Sequence, residues 1–186
     1  LDVDFLAFSG HKMLGPRIGV LYVKEILHDD MLPFIVGGGT VQNVIDAKPK
    51  YLPFPEAFEA GLQNYAGAIG LKTAVDYLER VGMKNIEKHE TKLNKLATEE
   101  LEKIKGLDIL GANGGIISML FGIDSREAAI MFDSHGVLVR GGMHCCHNWF
   151  NARHLNGSVR ASFYLYNNEH DVERLVDAAK KVAALS

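Results

Sequence analysis

The chain has 186 residues, of which 47% are hydrophobic and 23% charged. This length and composition suffice for one sizeable core or two small ones, so a folded, soluble protein is expected. The formal charge is −3, and 20 basic residues are scattered among 23 acidic ones, which argues against nucleic acid as a partner. No apolar run approaches the roughly 18 residues of a membrane span, and the acidic first residues do not resemble a signal peptide. We therefore expect no membrane association and a cytoplasmic location.

The first third of the chain predicts two strands followed by a long irregular segment. Residues 4–8 and 18–23 are short apolar runs separated by glycines and a proline, which is typical of two strands joined by a structured loop. The first run has the pattern of a strand from the middle of a sheet, and no methionine precedes it, so we expect the chain to be a fragment. Residues 32–64 are irregular, and loops of that length tend to be functional or disordered.

The rest of the chain predicts alternating helices and strands. Helical spacing of apolar residues indicates helices near 65–81 and 83–104, separated by Gly82. The pattern then predicts strands at 107–110 and 116–121, a helix at 126–135, strands at 137–140 and 159–163, and a helix at 170–184 capped by Asn168. This order indicates a small α+β sandwich. We expect two domains, residues 1–82 and residues 83–186.

Lys12 is the first candidate for chemistry, because it follows a predicted strand in the segment Ser9-Gly10-His11-Lys12. Hydroxyl, amide and imidazole groups beside an amine are suited to a phosphate-bearing ligand. A lysine amine is nucleophilic when neutral, and a partly desolvated site near other cations favours its reaction with a carbonyl cofactor. The alternative is a solvated surface lysine, which is the commoner role of lysines in loops.

The two cysteines, Cys145 and Cys146, are adjacent and therefore poorly placed for a disulfide that closes a chain loop. They follow Arg140-Gly141-Gly142-Met143-His144, in which glycines end a predicted strand. A cysteine beside an imidazole can have a lowered pKa, and the thiolate is the form that attacks another sulfur. One alternative is a buried cysteine pair that packs like small hydrophobes. Another is a metal site with His144 and His147, but adjacent ligands fit one tetrahedral ion poorly, so we expect no metal.

Two further segments carry groups that bind anions. Arg160, on a predicted strand, is either an ion-pair partner or a bidentate clamp for a carboxylate. The segment Gly37-Gly38-Gly39-Thr40 offers amides and a hydroxyl that could form an anion nest, although a glycine run is more often a flexible turn.

In this order and spacing, these segments resemble the class V aminotransferase family, and within it the SufS-like cysteine desulfurases. The resemblance covers nearly the whole chain. It is carried by Ser9-Gly10-His11-Lys12 with Gly15-Pro16, Gly37-Gly38-Gly39-Thr40, Phe58-Glu59-Ala60-Gly61, Arg140-x-Gly142-x-His144-Cys145 and Arg160-Ala161-Ser162. It implies an α/β fold: the remainder of a fold-type-I transferase large domain, dependent on pyridoxal 5'-phosphate (PLP), followed by a small α+β C-terminal domain.

The resemblance also implies a cofactor site. Lys12 would bind PLP covalently, and Ser9 and His11 would contact its phosphate. Thr40 would reach the phosphate bound by a neighbouring subunit, so a homodimer is implied.

The implied substrate is L-cysteine, and the implied reaction gives alanine and a persulfide on Cys145. Arg160 would clamp the substrate carboxylate, with Arg140 lining the pocket and Asn64 as a further candidate. The persulfide sulfur would pass to an acceptor protein for iron–sulfur cluster assembly. The chain departs from the family pattern at Met143, where a second histidine is usual, and at Cys146, where a small residue is usual.

Other functions remain open from the sequence. Another class V enzyme, such as an aminotransferase, a kynureninase-like hydrolase or an epimerase, would share Lys12 and Arg160 but need no loop cysteine. A non-catalytic folded module is a further alternative. Because the family residues that stack on the PLP ring precede the segment present here, we expect the isolated chain to be inactive or nearly so.

Overall fold

The computed structural model of the chain describes residues 2–185. The chain divides into two compact units, with the division between Arg80 and Val81. We call residues 1–80 unit one and residues 81–186 unit two. Within the described residues, no helix is long and apolar enough to cross a membrane.

Unit one contains two antiparallel strand pairs and a helix. Strands β1 (Phe5–Ser9) and β2 (Gly19–Val23) pair so that Phe5 lies opposite Val23. Strands β3 (Val41–Ile45) and β4 (Lys48–Tyr51) form a hairpin, and helix α1 covers Tyr65–Val81. The α1 bounds agree with the predicted helix at 65–81.

The hairpin of β3 and β4 shows that the prediction of a wholly irregular segment from 32 to 64 is wrong. Its two-residue turn consists of Asp46 and Ala47, whose φ angles are 49° and 59°. Two-residue hairpin turns need positive φ and usually carry glycine or asparagine, so Asp46-Ala47 gives only a weak turn signal. Pro49, inside β4, further weakened the strand pattern, because proline cannot donate to a strand ladder.

Unit two is a four-stranded antiparallel sheet with helices packed against it. The strand order is β5-β6-β8-β7. The strands are β5 (Leu107–Asn113), β6 (Ile116–Phe121), β7 (Arg140–Gly142) and β8 (Ser158–Ser162), and the helices are α2 (Met83–Leu101), α3 (Ser125–Ser134), the short α4 (His147–Asn151) and α5 (Glu169–Ala183).

The core of unit two lies between the sheet and helices α2, α3 and α5. Ile117 and Met119 of β6 and Val159 of β8 are buried in one cluster with side chains from these helices. Because successive side chains of a strand point to opposite faces, Ser118 and Arg160 lie on the other face, where they are direct cross-strand neighbours. This second face of the sheet therefore carries Arg160, the residue predicted to bind the substrate carboxylate.

Most predicted elements of unit two are confirmed, with two differences. The cap prediction is confirmed, since the Asn168 side chain accepts hydrogen bonds from the amides of His170 and Asp171. The strand predicted at 137–140 begins too early. Helix α3 ends at Ser134, Gly136 follows it with a φ of 72°, and β7 begins only at Arg140. Helix α4 was not predicted, and its five residues are too few to show a helical period.

Candidate functional site

The turn that carries Lys12 is a single 3-10 turn, Gly10–Lys12, directly after β1. The Gly10 amide donates to the carbonyl of Ile18 at 2.8 Å, and the Gly15 amide donates to the carbonyl of Gly10 at 2.9 Å. A Cβ atom on Gly10 would lie 2.9 Å from the Pro16 carbonyl oxygen, so only glycine fits this close approach. The turn is therefore a well-defined base for the side chains beside it.

The side chains presented by this turn are available for a ligand. Lys12 and His11 are exposed and Ser9 is half-buried. Within residues 2–185, no hydrogen bond or ion pair engages these three side chains. A free amine beside a hydroxyl and an imidazole is a donor set that fits a phosphate-bearing aldehyde, because the amine can bond covalently and the others can contact the phosphate.

Thr40 and Asn64, the other predicted site residues of unit one, make local contacts. Thr40 is fully buried, and its Oγ1 donates to the Gly37 carbonyl at 2.7 Å. The Asn64 Oδ1 accepts from the Gly67 amide at 2.9 Å, at the start of α1, as a helix cap does. These bonds give both residues a role in local structure. The phosphate contact of Thr40 and the substrate contact of Asn64 stay predictions.

The cysteines of unit two lie on a tight turn before α4. Cys145 and Cys146 are both exposed free thiols, so the alternative of a buried cysteine pair is wrong. The Cys146 amide donates to the Met143 carbonyl at 2.8 Å, and His144 and Cys145 have φ angles of 50° and 63°. Left-handed backbone costs a non-glycine residue roughly 1–2 kcal/mol, and such strain concentrates at functional segments.

A cavity of about 530 Å³ lies on the sheet face next to this turn. Its walls include His144, Cys146 and Arg160, together with the aromatic side chains of Trp149 and Phe150. Sequence reasoning missed both aromatic residues, although the pair Trp149-Phe150 shortly after the cysteines was the available signal. The cavity combines apolar walls with one cation and one thiol, which is typical of a site for a small organic ligand.

Arg140 and Arg160 lie directly opposite each other in the pairing of β7 with β8. Like charges in this position destabilise a sheet. The Nε atom of Arg160 is buried and has no hydrogen-bond partner within the described part of the chain. A bound carboxylate would relieve both problems, because guanidinium groups bind carboxylates in bidentate geometry.

His144 is bonded across the loop to Ser158. Its Nε2 lies 3.0 Å from both the carbonyl oxygen and the Oγ of Ser158, and its Nδ1 is buried with no partner among residues 2–185. Burial lowers the pKa of His144, and the positive charge of Arg160 lowers it further, while the bond to the Ser158 backbone acts in the opposite direction. The imidazole is therefore neutral at neutral pH and can accept a proton.

The lowered pKa of His144 predicts a loss of stability in acid. The unfolded chain binds a proton at the ordinary histidine pKa of about 6.5, whereas the folded chain resists it, so the unfolding free energy falls as the pH drops below that value. We expect His144→Gln to flatten this dependence between pH 7.5 and 5.5, measured by urea unfolding. His147→Gln, which replaces the exposed neighbour, should keep it. An unchanged slope in His144→Gln would contradict the prediction.

Comparison with known proteins gives consistent matches over nearly the whole chain. Residues 1–175 match the model of a family described as aminotransferase class-V. A probable cysteine desulfurase of Staphylococcus epidermidis is 40% identical over 187 residues, which cover 97% of this chain and 45% of that protein.

Two solved structures are similar in fold as well as sequence. The apo cysteine desulfurase of Thermococcus onnurineus NA1 matches with a TM-score of 0.91 and 38% identity, covering 98% of this chain and 48% of that one. The cysteine desulfurase CsdA of Escherichia coli, in an S-sulfonic acid form, matches with a TM-score of 0.92 and 33% identity, covering 99% and 47%. The chain spans about half the length of the relatives it matches.

Proposed function

The chain belongs to the aminotransferase class-V family, and from this premise we propose that it is part of a PLP-dependent cysteine desulfurase. The predicted fold, a mixed α/β part of a fold-type-I transferase, is confirmed by its match to about half of each solved structure. The relatives reported above carry the name cysteine desulfurase, which supports the proposed activity of the whole protein.

One observation carries this proposal: in unit two, an arginine and a thiol-bearing turn meet at one cavity. Arg160, opposite Arg140, offers a guanidinium pair for the α-carboxylate of L-cysteine. Cys145 lies on the turn between cavity residues His144 and Cys146. The cavity can therefore orient an amino acid by its carboxylate beside the thiol turn.

In unit one, we assign the cofactor to the turn at Lys12. Lys12 would bind PLP covalently, while Ser9 and His11 would donate hydrogen bonds to its phosphate. When bound, PLP supplies the electron sink that the breaking bonds of the substrate require. The Lys12 amine, when not bonded to the cofactor, would take up and move the proton of the substrate Cα.

Cys145 would then attack the sulfur of L-cysteine. A bond forms between Cys145 Sγ and the substrate sulfur, and the bond from that sulfur to the substrate Cβ breaks with its electron pair remaining on the carbon side. Proton uptake gives alanine, and Cys145 holds a persulfide. His144 lies next to this turn with a neutral imidazole, whose free Nδ1 can accept a hydrogen bond from a protonated group.

We further propose that the sulfur goes to an acceptor protein for iron–sulfur cluster assembly in the cytoplasm. The exposure of Cys145 supports delivery to another protein.

A homodimer, in which Thr40 and Asn64 serve the site, is part of the same proposal. Large exposed apolar side chains in unit one, such as Phe34 and Leu62, support an interface there.

The proposal is tested by PLP binding at Lys12. We expect the purified chain with added PLP to show an absorbance band near the visible edge, and borohydride reduction to fix the cofactor on Lys12, located by mass spectrometry. Lys12→Ala should lower the yield of the fixed adduct at least tenfold. Lys50→Ala, which removes an exposed lysine of β4, should leave it unchanged. Adducts spread evenly over many lysines would contradict the assignment.

A further inference from the structure

The two adjacent thiols have different surroundings. Cys146 lines the cavity of about 530 Å³, whereas Cys145 is not among its lining residues in the described part of the chain. The Cys146 thiol lies 3.5 Å from the carbonyl oxygen of His144, to which it can donate. Both cysteines are also accessible from solvent.

The backbone of the turn explains this difference. His144 and Cys145 have left-handed φ angles, whereas the φ of Cys146 is −109°. Reversal of the chain at Cys145 turns the two successive side chains toward different surroundings. The hydrogen bond that closes the turn and the bonds of His144 to Ser158 offset the free-energy cost of two left-handed residues.

We propose that Cys146 is a second sulfur-carrying residue, which takes the outer sulfur of a persulfide on Cys145 and holds it at the cavity. The origin of that persulfide rests on the proposed function. In the transfer, the Cys146 thiolate attacks the outer sulfur, a new sulfur–sulfur bond forms to Cys146, and the old bond to Cys145 breaks. Cys145 leaves as a thiolate and takes up the proton that Cys146 lost, so the step needs no oxidant or reductant.

Adjacency of the cysteines favours this transfer over a disulfide. Attack on the inner sulfur would release sulfide and close a ring between Cys145 and Cys146. Consecutive Cα atoms are about 3.8 Å apart, below the range of about 4.4–6.8 Å that disulfides usually span. Attack on the outer sulfur closes no ring in the product, so the sulfur stays bound to the protein.

The cavity suits a persulfide on Cys146. Trp149 and Phe150 supply apolar walls of the cavity that Cys146 lines, and the Cys146 side chain is itself exposed. The Arg160 guanidinium lines the same cavity with a buried Nε that lacks a partner within residues 2–185. A persulfide anion held there would meet this positive charge.

The experiment loads sulfur without the amino-acid substrate. The purified chain receives one equivalent of glutathione persulfide, which passes its outer sulfur to the two exposed thiols and leaves glutathione, and the donor is then removed by gel filtration. Samples are trapped with iodoacetamide at intervals, and tandem mass spectrometry of the peptide locates the extra sulfur on Cys145 or Cys146. We expect the sulfur to move from Cys145 to a majority on Cys146, at a rate unchanged by tenfold dilution.

In Cys146→Ser, the sulfur should remain on Cys145 over the same interval. Sulfur that stays on Cys145 in the unsubstituted chain, a rate that falls with dilution, or sulfide release with a Cys145–Cys146 disulfide would each overturn the proposal. So would sulfur found on Cys146 alone from the first sample. The Lys12 adduct is measured without cysteine chemistry, so failure of the transfer and failure of the proposed function are separate results.

Discussion

Replacing Cys145 with alanine is expected to lower the rate at which the whole protein releases alanine from L-cysteine at least a thousandfold. Cys145 is the group proposed to take the sulfur, and losing a nucleophile in a covalent mechanism removes the chemical step itself. The PLP adduct at Lys12 should be unchanged in Cys145→Ala, because this residue is not assigned to cofactor binding. Alanine is measured directly, with excess dithiothreitol present to clear the persulfide after each turnover.

His147→Gln is the control, since His147 is exposed at the start of α4, two residues from Cys145, and is given no role in the reaction. With dithiothreitol clearing Cys145, its rate of alanine release should stay within twofold of the unsubstituted protein. If Cys145→Ala keeps its turnover, the desulfurase proposal is wrong. Another class V enzyme, such as an aminotransferase, a kynureninase-like hydrolase or an epimerase, would then be favoured, because it would need Lys12 and Arg160 but no loop cysteine.

The sequence predicted those elements whose signals are local. Helices α1 and α5 were placed within one residue of their bounds, because apolar residues recur at helical spacing and Asn168 supplies a cap at the start of α5. The hairpin of β3 and β4 was missed because its turn uses Asp46 and Ala47 at positive φ. The hairpin depends on a left-handed backbone at two non-glycine residues, and residue types alone do not reveal that conformation.

The candidate site was predicted only as separate segments. Residue types and order were enough to single out Lys12, Cys145 and Arg160. They do not reveal that Arg140 lies opposite Arg160, because strand register is set by contacts between residues distant in sequence. The bond of His144 to Ser158 and the wall formed by Trp149 depend on the same tertiary packing.

Replacing Gly141 with alanine is expected to lower the free energy of unfolding of unit two by about 3 kcal/mol, the upper end for an overpacked site. A Cβ atom at this position would lie 2.1 Å from the Ser125 carbonyl oxygen and 2.8 Å from the Arg126 Cα. Both are backbone atoms of the first turn of α3, which the Asp124 side chain caps. Neither can move without shifting the helix, so the strand and the helix must separate.

Gly111→Ala is the matched control, because Gly111 lies in β5 of the same sheet and no atom lies within 4 Å of its added Cβ. Its effect in urea unfolding should stay within about 0.5 kcal/mol, as for an ordinary surface substitution. Equal stabilities of the two variants would mean that β7 is free to move away from α3. The contact with α3 would then not be what holds Arg140 opposite Arg160 at the proposed carboxylate site.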